Sequence, residues 1–295
     1  MKVLLAEYAS AHDPTLAAEG AAMLDVLKQS FERRGYEVVL PGAGEFGVEI
    51  ERLAPTCSMG LVIAPDHLLA GYTQILEQHT HNLGCGFMTV ALCANKVRTE
   101  KILRSHGIPV PAESPGGRRV IKPVRGCGAQ GVRISDALPG KDEFSQHYIE
   151  GEHFSVSIVA NRVIGDACLY FSGKPPLVLA VNRQFIETGS DGALHYRGGE
   201  TPVHPVREPE IIEVAKKTAE VLGCQGYCGV DVVVADTVYV VDVNPRITTS
   251  LVGIAACMTE EIADILVSAS KGEGTDRVHL IGSARFDTNG NVLSV

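Results

Sequence analysis

Two stretches of this 295-residue chain carry residues whose types and spacing suit phosphate and metal chemistry. The first is Val120-Ile121-Lys122-Pro123-Val124-Arg125-Gly126-Cys127-Gly128-Ala129-Gln130-Gly131-Val132, where a lysine ends one apolar run and a glycine-rich loop opens onto another. Residues 126–131 satisfy G-x-G-x-x-G, a dinucleotide fingerprint only when a strand precedes it and a helix follows. No helix is predicted here. Val132-Arg133-Ile134-Ser135 is a short alternating segment that meets Asp136 and then Pro139-Gly140, so the order is strand, glycine loop, strand. Such a hairpin can fold backbone N–H groups over phosphates, with Lys122 at its base as a point charge. An ordinary glycine hairpin with a surface lysine is the competing reading.

The second stretch runs from Gly229 to Arg246 and reads as two apolar strands joined by a turn at Ala235-Asp236-Thr237. Asp231 lies on the first strand. Asp242 and Asn244 stand two apart on the second, so they point to one face of a sheet. Carboxylate and amide oxygens converging there would hold a hard cation such as magnesium against nucleotide phosphates. Polar residues on the solvent face of a hairpin would give the same spacing. The surrounding run of Val and Tyr argues for a buried strand instead, where an unpaired carboxylate is costly.

With their neighbours these residues resemble the ATP-grasp ligases over residues 90–270. Asn95-Lys96, followed by Leu103 to Pro111, resembles the family's first nucleotide lysine and the helix-to-strand junction after it. Lys122 with Gly126, Gly128 and Gly131 resembles the second lysine and its phosphate-covering flap. Gln146-His147-Tyr148-Ile149-Glu150-Gly151-Glu152-His153 resembles the hinge that holds adenine by backbone groups and ribose by a carboxylate. Asp231, Asp242 and Asn244 resemble the metal ligands, and Arg246 the group that meets the γ-phosphate. Two departures stand out. The ribose carboxylate commonly falls where this chain has His153, which leaves Glu152 or His153 for that work, and only ten residues separate Pro111 from Lys122, fewer than the family usually has.

The resemblance implies an ADP-forming carboxylate–amine ligase that uses ATP and magnesium, or manganese in its place. Lys122 and Arg246 would act on the transferring phosphoryl group. Arg183 is a candidate carboxylate clamp, because guanidinium binds that group bidentately, or else a solvated loop arginine. Within the family, Glu7-Tyr8-Ala9-Ser10, Asn182-Arg183-Gln184, Tyr196-Arg197-Gly198-Gly199 and Asn244-Pro245-Arg246-Ile247-Thr248-Thr249-Ser250 look most like the tyramine–glutamate ligases of methanofuran synthesis. Glutamate would then be the activated acid. An amine such as tyramine would enter past Glu7, Tyr8, Ser10 and Asp66, its ammonium matched by Glu7 or Asp66 and its ring by Tyr8. A ligase for another amino acid or a dipeptide, and a non-catalytic ATP sensor, are the alternatives. A dinucleotide oxidoreductase is disfavoured by the missing helix.

Composition fits a soluble enzyme acting on small molecules. A net charge of −9 without a basic cluster argues against a nucleic-acid partner. No apolar run reaches the roughly 18 residues of a membrane helix, and Met1-Lys2-Val3-Leu4-Leu5-Ala6 meets Glu7 too soon for a signal peptide, so a cytoplasmic location is expected. A homodimer is compatible with all of this. The eight cysteines lack paired metal-ligand spacing and read as small core residues.

The elements needed to position these groups follow from periodicity. Residues 1–92 alternate strand and helix as a small parallel α/β domain: strands at Val3–Ala6, Tyr36–Leu40 and Leu61–Ala64, and helices at Pro14–Arg34, with Asp13 as cap and Gly35 as stop, and Ala70–Leu83. Residues 93–270 form the α+β ATP-grasp part, with a small nucleotide subdomain over 112–150 and a larger catalytic one over 151–270. It holds a helix at Asn95–His106, the flap, the hinge, a larger sheet interrupted by the polar segment Asn182–Pro205, a helix at Glu208–Leu222 and the metal hairpin. Residues 271–295 close as a hairpin around Asn289-Gly290.

Overall fold

In β1 (Lys2–Glu7) the run Val3-Leu4-Leu5-Ala6 is at most 1% exposed. An apolar run without alternation suits a strand covered on both faces, as in a parallel sheet between helices. A computed structural model of the chain describes residues 1–113, 117–126, 130–161 and 174–294. After β1 come α1 (Ala9–His12), α2 (Ala17–Arg33), β2 (Glu37–Val39), α3 (Phe46–Leu53), β3 (Met59–Ile63), α4 (Asp66–His79) and β4 (His81–Asn82). The four strands pair in parallel in the order β2-β1-β3-β4.

The helix expected over Pro14–Arg34 starts only at Ala17. Asp13 does not cap it, because its Oδ1 accepts from the Thr15 amide at 3.0 Å and hydroxyl at 2.6 Å, a local turn that competes with helix. Gly35 does end it, at a φ of +77° that suits only glycine well. The helix expected from Ala70 begins at Asp66, where Pro65 needs no amide partner and the Asp66 carboxylate sits at the positive end of the helix. It stops at His79, since His81 and Asn82 pair with β3 and the sheet edge claims them.

The chain continues through α5 (Phe87–Cys93) and α6 (Lys96–Ser105), the latter capped by Asn95 Oδ1 accepting from the Arg98 amide at 3.1 Å. β5 (Arg119–Pro123), β6 (Arg133–Ser135) and β7 (Glu143–His147) then form an antiparallel sheet in the order β6-β5-β7. Strand, loop, strand is thus the arrangement around the glycines. Arg133 forks onto Glu143 at 2.6 and 2.9 Å, tying the outer strands together.

The remaining elements are β8 (Glu152–Ala160), β9 (Leu177–Thr188), β10 (Leu194–Thr201), α7 (Glu208–Val221), β11 (Gly226–Val234), β12 (Val238–Asn244), α8 (Ser250–Cys257), α9 (Ile262–Ser270), β13 (Ala284–Phe286) and β14 (Val292–Ser294). They build a seven-stranded antiparallel sheet in the order β12-β11-β8-β9-β10-β13-β14. The polar segment 182–205 does not interrupt this sheet but supplies most of β9 and β10. Its side chains alternate, so that Gln184, Ile186, Leu194 and Tyr196 line the cleft while Arg183, Glu187 and Arg197 lie on the other face. The closing hairpin is shorter than expected and extends the sheet, with β13 paired to β10.

One face of the large sheet is covered by α7, whose Ile211, Ala215 and Ala219 share a core with Val156, Val230 and Val232. On the other face, the far half, with Val159, Leu179 and Tyr227, is covered by residues of α8, α9 and α2, including Leu251, Leu266 and Leu27. Each such side chain removed from water contributes about 1.5–3 kcal/mol. The near half of that face looks towards the three-stranded sheet. The six described cysteines are all buried and free.

Candidate active site

Strand parity and one bulge decide which side chains reach the gap between the two sheets. Asp231 pairs with Asp242, but the next pair is Val232 with Val240, which leaves Val241 as an extra residue. Without it Asp242 and Asn244 would fall on the face of Val238 and Val240, which belong to the apolar core. The bulge turns both towards Asp231. Register then carries the same face across the sheet: Asp231 lies opposite Ser155, and Ser155 opposite Asn182. His153 and Gln184 follow two residues along their strands.

Around Asp231 the polar groups are paired. Gln184 Nε2 donates to its Oδ1 and Asn244 Nδ2 to its Oδ2, each at 3.1 Å. Lys96 Nζ binds both oxygens of Asp242. Lys122 Nζ donates to the carbonyl of the bulged Val241 at 2.9 Å. Burial, reinforced by Asp242, pushes the Asp231 carboxyl up to about 7, against the pull of Lys96, Asn244 and Arg246. Burial brings Lys122 down to about 8, with Asp242 pulling the other way. Among the described residues no three His, Cys, Asp or Glu side chains gather at one point. Two carboxylates and an amide instead suit a cation that completes its shell with phosphate oxygens and water, as magnesium does.

The hinge forms the opposite wall. Gln146, His147, Tyr148, Ile149 and His153 line an open cleft of about 1300 Å³, together with Lys96, Lys122, Asp231, Asp242, Asn244 and Arg246. Gln146 is 1% exposed; its Nε2 is bound by Glu100, and its Oε1 has no hydrogen bond among the described residues. The Arg118 guanidinium lies 4.4 Å over the Tyr148 ring. A side chain at Gly151 would put Cβ 2.3 Å from the Val234 carbonyl, so glycine lets the hinge approach β11. From the flap, Val120 and Val132 reach the cleft. Gly126 and Gly131 lie against Pro123 of their own hairpin, and Gly128 falls outside the described residues.

Several expected substrate groups are engaged elsewhere. Glu152 and Arg183 share the face opposite Asp231 by parity. They pair at 3.0 Å beside a separate shallow depression, with Arg183 over the Phe154 ring, so neither walls the cleft. Asp66 is not open to an ammonium, because it holds Arg246 Nε at 2.8 Å with both side chains nearly buried. Glu7 is buried and accepts from the amides of Ala9 and Ser10 at 2.7 and 2.8 Å, capping α1. It borders a smaller side pocket and not the main cleft. Tyr8 packs among His12, Phe46 and Tyr72, at centroid distances of 4.8, 5.3 and 5.8 Å, and the exposed Ser10 lies beyond the cleft.

Other residues reach the cleft without having been expected there. Glu19 comes from α2 and is bound by the Thr249 hydroxyl. Tyr196, whose hydroxyl burial pushes well up, and Gln184 come from β10 and β9. Gln184 and Ser155 share the parity of Asp231, a signal readable once strand pairing is known. Glu19 had no such signal.

A carboxylate and amide set on one antiparallel sheet, with two buried lysines and a small hairpin sheet around the same cleft, suits a ligand that carries phosphate groups. The ATP-grasp domain model matches residues 93–250, more than half of the chain, and the chain belongs to that family. It is 29% identical over 217 residues to the tyramine–L-glutamate ligase of Methanocaldococcus fervens, an alignment covering 72% of this chain and 66% of the relative. To the Methanocaldococcus jannaschii protein of the same name it is 28% identical over 218 residues, covering 72% and 63%. The chain thus matches just under two thirds of those relatives' length. Among solved structures, one assigned to the ATP-grasp superfamily from Archaeoglobus fulgidus superposes with a TM-score of 0.78 at 27% identity, covering 97% of this chain and 92% of that one. The D-alanine–D-alanine ligase of Bacillus anthracis shares the fold, with a TM-score of 0.65 at 18% identity over 92% and 97%.

Proposed function

We propose that the chain is an ATP-dependent, ADP-forming ligase that joins a carboxylate to an amine, with glutamate as the acid and tyramine or a related amine as acceptor, in the synthesis of a methanofuran-like cofactor. The observation that carries the reading is the convergence of Lys96, Lys122 and Arg246 with Asp231, Asp242 and Asn244 on one cleft. A carboxylate is a poor electrophile, so it first takes the γ-phosphoryl group of ATP, giving an acyl phosphate and ADP. The amine nitrogen then attacks the acyl carbon, the bond from carbon to the phosphate oxygen breaks, and phosphate leaves. The ammonium gives up two protons, one ending on the phosphate and one in solvent.

Both steps build negative charge that fixed cations must meet. Asp231, Asp242 and Asn244 would hold magnesium, which neutralises and orients the phosphate oxygens when bound. Lys96 would exchange Asp242 for a phosphate oxygen, and Lys122, held on the carbonyl of the neighbouring Val241, would meet another. Arg246, fixed by Asp66, faces the transferring group. His153, which lines the cleft where Glu152 does not, would meet the ribose. The test is an ADP-release screen of amino acids with ATP and magnesium, with and without amines, and hydroxylamine to trap the acyl phosphate. Glutamate should give slow ADP release, a hydroxamate, and acceleration by tyramine. If another acid alone yields the hydroxamate, the glutamate assignment fails and the ligase stands. If none does, the ligase reading fails.

A further inference from the structure

Beside the main cleft lies a smaller side pocket, and Glu19 and Arg246 line both spaces. The pocket is floored by Glu7, buried and fixed by two backbone amides, and walled by Leu16, Met23, Ile63 and Pro65. Gly20 makes this floor possible. A Cβ there would fall 2.3 Å from Glu7 Oε1, so only a bare backbone lets α2 pass over the carboxylate. At the mouth, Glu19 Oε1 is held by the Thr249 hydroxyl, leaving Oε2 for a ligand.

We infer that this side pocket is the acceptor-amine site, that Glu19 is its specificity-determining carboxylate, and that it takes a primary ammonium carried on an apolar body; the inference rests on the ligase reading and names the substrate class of its second site. The charge balance supports it. Glu7 and Glu19 contribute two negative charges, and the single guanidinium, Arg246, is already matched by Asp66. A cation is therefore attracted to the pocket, whereas a dicarboxylic acid is repelled by the glutamates and loses hydration against Leu16 and Met23. Position agrees as well. An ammonium on Glu19 would lie at the residues the two spaces share, with its apolar body directed towards Met23 and Ile63.

Two variants test this by calorimetry, titrating tyramine and, separately, glutamate into the full chain with ADP and magnesium. Glu19→Gln removes the charge. Leu16→Trp, at a half-exposed position, fills the pocket without a buried change. Both should weaken tyramine binding at least tenfold and at least fivefold more than glutamate binding, and Leu16→Trp should weaken methylamine less than tyramine. Tyramine binding within twofold of wild type in both variants overturns the assignment, as does no tyramine binding to the wild type or an equal loss for glutamate. Failure of the ligase reading looks different. Tyramine binding that follows these expectations in a protein that forms no hydroxamate with any acid keeps the pocket and removes the reaction, whereas hydroxamate formation with an unaltered tyramine KM in both variants does the reverse.

Discussion

At Asp231, burial and the neighbouring Asp242 raise the carboxyl to about 7, so the folded chain holds this proton more tightly than the unfolded one does. A group with a raised folded pKa stabilises most below its unfolded value. That stability is lost as pH rises from about 4 through about 7. Asp231→Asn removes the loss, so its melting temperature at pH 8 should exceed wild type, by about 2–4 °C for each kcal/mol recovered, while magnesium-dependent ADP release disappears. A lower melting temperature at pH 8 would defeat the argument. Asp242→Asn should also abolish turnover but destabilise, towards the lower end of about 3–5 kcal/mol, because Lys96 is left buried without its carboxylate. Lys122 gives a third expectation. Its ammonium is present below about 8 in the free protein, and bound phosphate raises it. ATP affinity should therefore weaken up to tenfold per pH unit above 8, and a Kd that is flat from pH 7 to 9.5 would remove Lys122 from the phosphate site.

At the scale of elements, alternation along β8 and β9 assigns function between adjacent residues. His153 lies on the cleft face, and Glu152 and Arg183 on the other. His153→Ala should raise the KM for ATP several-fold, with Glu152→Ala and Arg183→Ala within twofold of wild type. Parallel effects of His153→Ala and Glu152→Ala would show that the hinge rearranges on binding. Parity was partly legible in the sequence, since Asp242 and Asn244 are two apart and must share a face. Which face they share was not. Two residues before Asp242 stands Val240, a core residue, and only the bulge at Val241, set by how β12 lies against β11, moves the ligands out of the core.

At the scale of the molecule, the parallel-sheet part and the large sheet meet through Asp66 of α4 and Arg246, which follows β12. Asp66→Asn leaves a nearly buried guanidinium without its carboxylate. It should cost about 3 kcal/mol in urea unfolding and lower kcat at least tenfold, because Arg246 loses the partner that aims it. Unchanged kcat would mean that Arg246 is positioned by Asn244 and its own backbone.

What the sequence determined by itself is local. A lysine before a glycine loop, Asn95 capping the helix that carries Lys96, and two carboxylates and an amide on a hairpin are short-range patterns, and periodicity, capping and turn chemistry act over a few residues. The tertiary structure decided which distant groups meet. Glu19 lies more than 200 residues from Thr249, and Asp66 is 180 from Arg246, separations that no local pattern encodes. It also withdrew Glu7, Asp66 and Tyr8 from the main cleft, because a helix end needed capping, a buried arginine needed a carboxylate and an aromatic cluster needed filling. Side-chain chemistry is written in the chain one residue at a time, but a partner is supplied by packing, and packing is settled only when all the elements compete for the same buried space.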